Sequence, residues 1–148
     1  MKAVLILYAA FAFSFSSQAA HDSKEIKCLA TNIYHESRGE GLQGMAAVGQ
    51  VTRNRVHSPR FSDSYCKVVY APKQFTWTKH RNKKIEDKES WKVAMNVAKV
   101  TYYIGWPQDL VGNAIYFRSG REKLPKKHYK QVTKIGGHTF YVDRKKKS

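Results

Sequence analysis

Hydrophobic periodicity changes once along this chain, from about 3.6 residues to 2, and that change restricts the fold more than any other feature. Behind Asp22-Ser23-Lys24-Glu25, a capping-box pattern that predicts a helix start, Ile26, Leu29, Ala30 and Ile33 share one helical face. Gly39 predicts the end of that helix. A second helix is expected over residues 42–56, with Leu42, Met45, Gly49, Thr52 and Val56 in one stripe. Ala46, Ala47, Val48 and Val51 widen the stripe, which marks this helix as central, and His57-Ser58-Pro59 ends it. Residues 60–88 read as irregular chain. A third helix follows at 89–103, with Trp91, Ala94, Met95 and Ala98 facing inward. Beyond Gly105 and Pro107 the pattern turns strand-like, at 114–118 and then at 131–135 and 138–142. Gly136-Gly137 between the last two is a two-residue hairpin signal. The order predicts an α+β domain: three main helices followed by a small antiparallel sheet with a C-terminal hairpin.

At 148 residues the chain has room for one domain and a short targeting segment. A hydrophobic share of 42% excludes wholesale disorder. Lys2, an apolar run over 3–15 and Ser17-Gln18-Ala19 read as a signal peptide spanning residues 1–19. A weak membrane anchor is the alternative. Either reading exports the protein, placing it outside the cell, in the periplasm or at the envelope. Residues 20–143 are then the domain and 144–148 a basic tail. In an oxidising compartment, Cys28 and Cys66 predict a disulfide worth about 3–4 kcal/mol, with two buried thiols as the alternative. The balance of 27 basic to 11 acidic residues gives +16 and predicts an anionic partner.

Glu36 lies seven residues after Leu29, within about 20° of that core position around a helix. A carboxylate there is costly unless it is used or paired. Desolvation would raise its pKa, as a general acid near neutral pH requires. The alternative is a carboxylate at a frayed helix end, satisfied by Arg38 or a backbone amide.

Tyr34-His35-Glu36-Ser37-Arg38-Gly39-Glu40 resembles the tyrosine–x–glutamate–alanine–arginine–glycine–glutamate signature of the SleB-type cell wall hydrolases, the spore-cortex-lytic enzyme family. The resemblance continues through Gly44, Ala46, Ala47, Val48, Asn54, Arg55 and Cys66-Lys67-Val68-Val69-Tyr70. Gln74-Phe75-Thr76-Trp77, Asp109, Gly112, Ala114, Tyr116-Phe117 and Gly136-x-His138-x-Phe140-Tyr141 complete it, in the expected order. Ser37 stands where the signature has alanine, and Val111, Asn113 and Ile115 where it has threonine, glycine and threonine. The resemblance implies a lysozyme-like, lytic-transglycosylase-like fold with one catalytic glutamate, at Glu36. It also implies cleavage of the β-1,4 bond between N-acetylmuramic acid and N-acetylglucosamine in peptidoglycan glycan strands. Glu36 would protonate the leaving oxygen, then deprotonate either the sugar's own 6-hydroxyl or water.

Around Glu36, the candidate substrate-binding residues are Gln74, Phe75, Trp77, Tyr116, Asp109 and Glu40. Gln74, Phe75 and Trp77 either line a sugar cleft or anchor their loop. Tyr116 either faces the cleft or packs in the sheet. Asp109 is either a second carboxylate or a turn cap, the commoner use of aspartate before a glycine. Glu40, about 40° from Glu36 if the helix continued, either orients it or closes a turn. His138, at a hairpin, reads as a hydrogen-bonded structural histidine. The histidine spacing predicts no metal site and no cofactor is expected, which argues against a zinc amidase. Lys123, Lys126, Lys127, His128, Lys130 and Lys134, with Lys145 to Lys147, suggest attraction to anionic envelope polymers. A monomer without a specific nucleic-acid partner is expected. The competing readings are a cationic envelope binder that has lost catalysis, an N-acetylmuramoyl-L-alanine amidase, and an exported nuclease.

Overall fold

The computed structural model describes residues 2–80 and 83–144. Four helices, α1 (Lys2–Ser37), α2 (Gly41–Val56), α3 (Tyr65–Val69) and α4 (Lys88–Tyr103), precede three strands. These are β1 (Tyr116–Ser119), β2 (Tyr129–Ile135) and β3 (His138–Asp143), and a 3-10 turn at Thr76–Lys79 lies between α3 and α4. The sheet is antiparallel with strand order β1-β3-β2. The architecture is the α+β arrangement that the change of period predicts. The basic residues 145–148 lie outside the described residues.

α2 is the central helix. Met45 and Val48 pack with Ile26, Leu29, Ile33 and Tyr34 of α1 and with Ala94, Val97 and Ala98 of α4. Ala47 and Val51, on the other side, pack with Val111, Ala114 and Phe140, which joins the helices to the sheet. Gly49 allows the close approach: a Cβ there would meet Thr101 Oγ1 at 2.9 Å and Ile33 Cδ1 at 3.3 Å. Leu42, expected in the stripe, is instead 59% exposed in the first turn of α2.

Asp22 starts no helix, because α1 runs through it from Lys2. Its carboxylate accepts from Tyr102 Oη at 2.9 Å and Gln18 Nε2 at 2.8 Å. Glu25 is buried and caps a different helix. It accepts from Tyr65 N at 2.6 Å, Cys66 N at 3.4 Å and Ser64 Oγ at 2.9 Å, at the N-terminus of α3. The Cys28–Cys66 disulfide is formed one turn farther along α1, so the same two elements are held twice. Residues expected to be irregular therefore include a short helix, fixed by partners 40 residues away that no local pattern shows.

The first helix ends at Ser37, and the left-handed residue after it is Gly41 (φ 69°) rather than Gly39. Asp87 caps α4 by accepting from Ser90 N at 2.9 Å. β1 begins at Tyr116, two residues later than expected, since Ala114 closes a turn with its N–H on Val111 O. Gly136 (φ 55°) makes the β2–β3 hairpin. Among the described residues no helix is long and apolar enough to cross a membrane.

Candidate active site

Glu36 is the last charged residue of α1, and its half-buried side chain lines a cleft of about 230 Å³. Three other parts of the fold complete the walls. α2 contributes Arg55, the loop before the 3-10 turn contributes Gln74 and Phe75, and β1 with the loop after it contributes Phe117, Arg118 and Glu122. Among the described residues the Glu36 carboxylate has no hydrogen bond and no ion pair within 4 Å. Burial pushes its pKa above the ordinary glutamate value, and the positive charges of Arg55 and Lys83 oppose that rise.

Arg55 is only 5% exposed, unusual for a guanidinium. Its Nε donates to Ile115 O at 2.7 Å, and its plane lies over Phe75 (5.1 Å) and Phe61 (5.6 Å). One terminal nitrogen, Nη1, is buried without a partner among the described residues. Burial brings the Arg55 pKa down to about 10, opposed by the nearby Tyr116 and Glu36. The cleft thus joins a carboxyl biased toward its protonated form to a fixed cation that does not pair with it.

Of the residues expected around Glu36, Gln74 and Phe75 line the cleft and the others do not. Phe75 is buried against Val69, Trp77 and Phe117, so it also anchors its loop. Trp77 lies in a neighbouring pocket, its Nε1 on Asn32 Oδ1 at 3.3 Å, and Asn32 in turn donates to Thr52 at 3.2 Å. Tyr116 accepts from Arg60 Nη2 at 2.7 Å and packs edge-on against Tyr129. Asp109 is a turn cap, accepting from Gly112 N and Gln50 Nε2, both at 2.7 Å. Glu40 lies outside α1, so the angular relation to Glu36 does not apply. Its carboxylate accepts from Gly137 N at 2.6 Å and clamps the hairpin to the α1–α2 junction. Among the described residues, His138 Nδ1 lacks the hydrogen bond expected of this histidine. Its buried Nδ1 lies 4.0 Å from Glu40 Oε1, and burial lowers its pKa against the pull of that carboxylate.

Residues 39–141 match the family model described as Cell Wall Hydrolase. The chain belongs to that family. The matched segment begins three residues after Glu36, which lies outside it. The chain is 32% identical to the spore cortex-lytic enzyme of Bacillus cereus over 122 residues, 81% of this chain and 45% of that protein. It is 31% identical to the Oceanobacillus iheyensis spore cortex-lytic enzyme over 100 residues, 66% of this chain and 33% of that one. The chain therefore spans less than half the length of these curated relatives. The catalytic domain of Bacillus cereus SleB superposes with a TM-score of 0.63 at 30% identity, covering 80% of this chain and 89% of the domain. The catalytic domain of the germination-specific lytic transglycosylase SleB from Bacillus anthracis gives 0.61 at 30% identity, over 78% and 92%.

Within this cell wall hydrolase, Arg55, Thr76, Phe117, Arg118, Ser119 and Glu122 line the cleft without having been assigned to it from sequence. Arg55 carried a signal, a charge beside the apolar stripe of α2, whereas Glu122 carried none, being one exposed residue of a basic loop. Glu122 supplies the cleft with a second carboxylate, which the sequence reading did not anticipate. Among the described residues no group of three His, Cys, Asp or Glu side chains is placed to hold a metal ion.

Proposed function

We propose that this chain is a peptidoglycan-degrading glycosidase that cleaves the β-1,4 bond between N-acetylmuramic acid and N-acetylglucosamine, with Glu36 as its acid and base. One observation carries the reading: a carboxylate lines an open cleft, desolvated and without a hydrogen-bond donor among the described residues. Protonated Glu36 gives its proton to the glycosidic oxygen as the C1–O bond breaks and an oxocarbenium-like centre develops. The carboxylate left behind then takes the proton of the muramoyl 6-hydroxyl, whose oxygen closes on C1 to give a 1,6-anhydro product. Arg55 stabilises this transient carboxylate without quenching it as a tight ion pair would. Family membership and the likeness to the SleB catalytic domains support the same chemistry. The expected setting is the envelope, reached by way of residues 1–19, where a chain of +16 is attracted to anionic polymers.

Glu122 favours a second outcome at the same site. A second carboxylate on the cleft wall could deprotonate water instead, giving a reducing end. Mass spectrometry of muropeptides released from purified sacculi tests both. Anhydro-muropeptides from the wild type and none from Glu36→Gln support the transglycosylase, and reducing muropeptides support hydrolysis. Free stem peptides would indicate an amidase and overturn the mechanism, and no product at all would leave an envelope binder.

A further inference from the structure

Beside the Glu36 cleft lies a second and larger pocket, of about 460 Å³, which the reaction described above does not use. Its apolar wall is aromatic. Trp77 stacks on His35 (4.6 Å between ring centres), and Tyr70 meets Trp77 edge-on at 5.8 Å. Its polar wall carries Lys73, Lys79 and Lys83, and no Asp or Glu is among the lining residues. Those three ammonium groups are exposed and form no ion pair within 4 Å among the described residues. Unneutralised cations gathered around an aromatic pocket in one small region call for an anionic ligand with some apolar body.

The pocket and the Glu36 cleft are lined by neighbouring stretches of chain, His35 beside Glu36 and Lys73 beside Gln74. His35 precedes Glu36 in α1, and Lys83 lies close enough for its charge to act on both His35 and Glu36. An occupant carried on the sugar held at Glu36 would account for this proximity. In a glycan strand of alternating amino sugars, the substituent with both carboxylates and apolar side chains is the peptide on the muramoyl lactyl group. The geometry points to this pocket as a subsite for the acidic stem peptide, with Lys73 and Lys79 holding its carboxylates, an inference that rests on the glycosidase reading.

Lys73→Gln/Lys79→Gln tests it, since both side chains are exposed and neither lines the Glu36 cleft. In the first arm, the full chain carrying Glu36→Gln is titrated calorimetrically with a synthetic stem peptide bearing free carboxylates. The double variant should bind roughly tenfold more weakly, the loss expected of two solvent-facing charge contacts. Amidating the carboxylates should abolish binding, and inorganic phosphate should not displace the peptide. Equal binding of the amidated peptide, displacement by phosphate, or an unchanged double variant would overturn the inference. In the second arm, kcat/KM is compared on glycan strands with and without their peptides. A loss confined to peptide-bearing strands supports the subsite, and an equal loss on both refutes it. A wild type that cleaves neither strand defeats the glycosidase reading, while the titration still decides the pocket.

Discussion

Replacing Glu36 with glutamine removes the ionisable group and keeps its shape, so activity and stability should move in opposite directions. Loss of a positioned general acid costs about 10²–10⁴ in rate, or roughly 3–5 kcal/mol of transition-state stabilisation. Stability follows from the raised pKa. The native state binds the Glu36 proton more tightly than the unfolded chain, whose glutamate has its ordinary value of 4.5. Wild-type stability contributed by this group is therefore full below pH 4.5 and falls as pH rises through the folded pKa. Glutamine has no such loss, so the variant should match the wild type in acid and exceed it at neutral pH. Each unit of pKa elevation corresponds to about 1.4 kcal/mol. The same folded pKa governs the alkaline limb of the wild-type pH–rate profile, where the acid loses its proton. Urea unfolding of both proteins across pH 3.5–8 (an interval on the order of four units about that ordinary value) and the activity profile must therefore report one number. Disagreement between them would refute the linkage. A loss of about 3–5 kcal/mol in Glu36→Gln at neutral pH would refute it more directly, since that is the cost of breaking a buried ion pair and would make Glu36 the structural partner of Arg55.

Other perturbations separate scaffold from site. Opening the Cys28–Cys66 bridge, which closes a 38-residue separation, should cost about 4 kcal/mol and lower Tm by roughly 10–15 °C in calorimetry with and without reductant. Glu40→Ala strands the Gly137 N–H and should destabilise by about 1–3 kcal/mol in urea titrations while folded molecules keep their cleavage rate. Lost cleavage at unchanged stability would make Glu40 a substrate ligand instead. Glu122→Gln should lower the ratio of reducing to anhydro muropeptides by mass spectrometry, and an unaltered ratio would remove Glu122 from water activation.

How legible this protein was depended on the range of the interaction that fixes each part. Periods of 3.6 and 2, with Gly136-Gly137 between two strands, are local signals, and the α2, α4 and hairpin elements followed them closely. Where an end is set by distant partners, the local signal misled. Asp22-Ser23-Lys24-Glu25 has the letters of a capping box, yet Glu25 caps α3 across the chain and Asp22 binds Tyr102. Glu36 drew attention as a carboxylate at a core angle, but that spacing left a frayed helix end open. It was the resemblance to the SleB-type hydrolases that singled the residue out, and its place in the cleft is visible only in the fold. The residues around it divide by the same logic. Asp109, three residues before Gly112, obeys a local turn rule and became a cap. Glu122 has no local conflict at all, because only the fold brings this loop residue after β1 to the cleft wall. Arg55 lies between these cases: its charge beside an apolar stripe was visible, but its use was not. That use requires Ile115 O and the rings of Phe61 and Phe75, which come from separate loops that only the complete fold brings around it. Burying a guanidinium this deeply without a carboxylate partner is unfavourable for the scaffold alone. Arg55 and Glu36 line the same cleft and act on each other's charge without an ion pair between them, so the buried cation is placed to favour whichever form of Glu36 carries the negative charge.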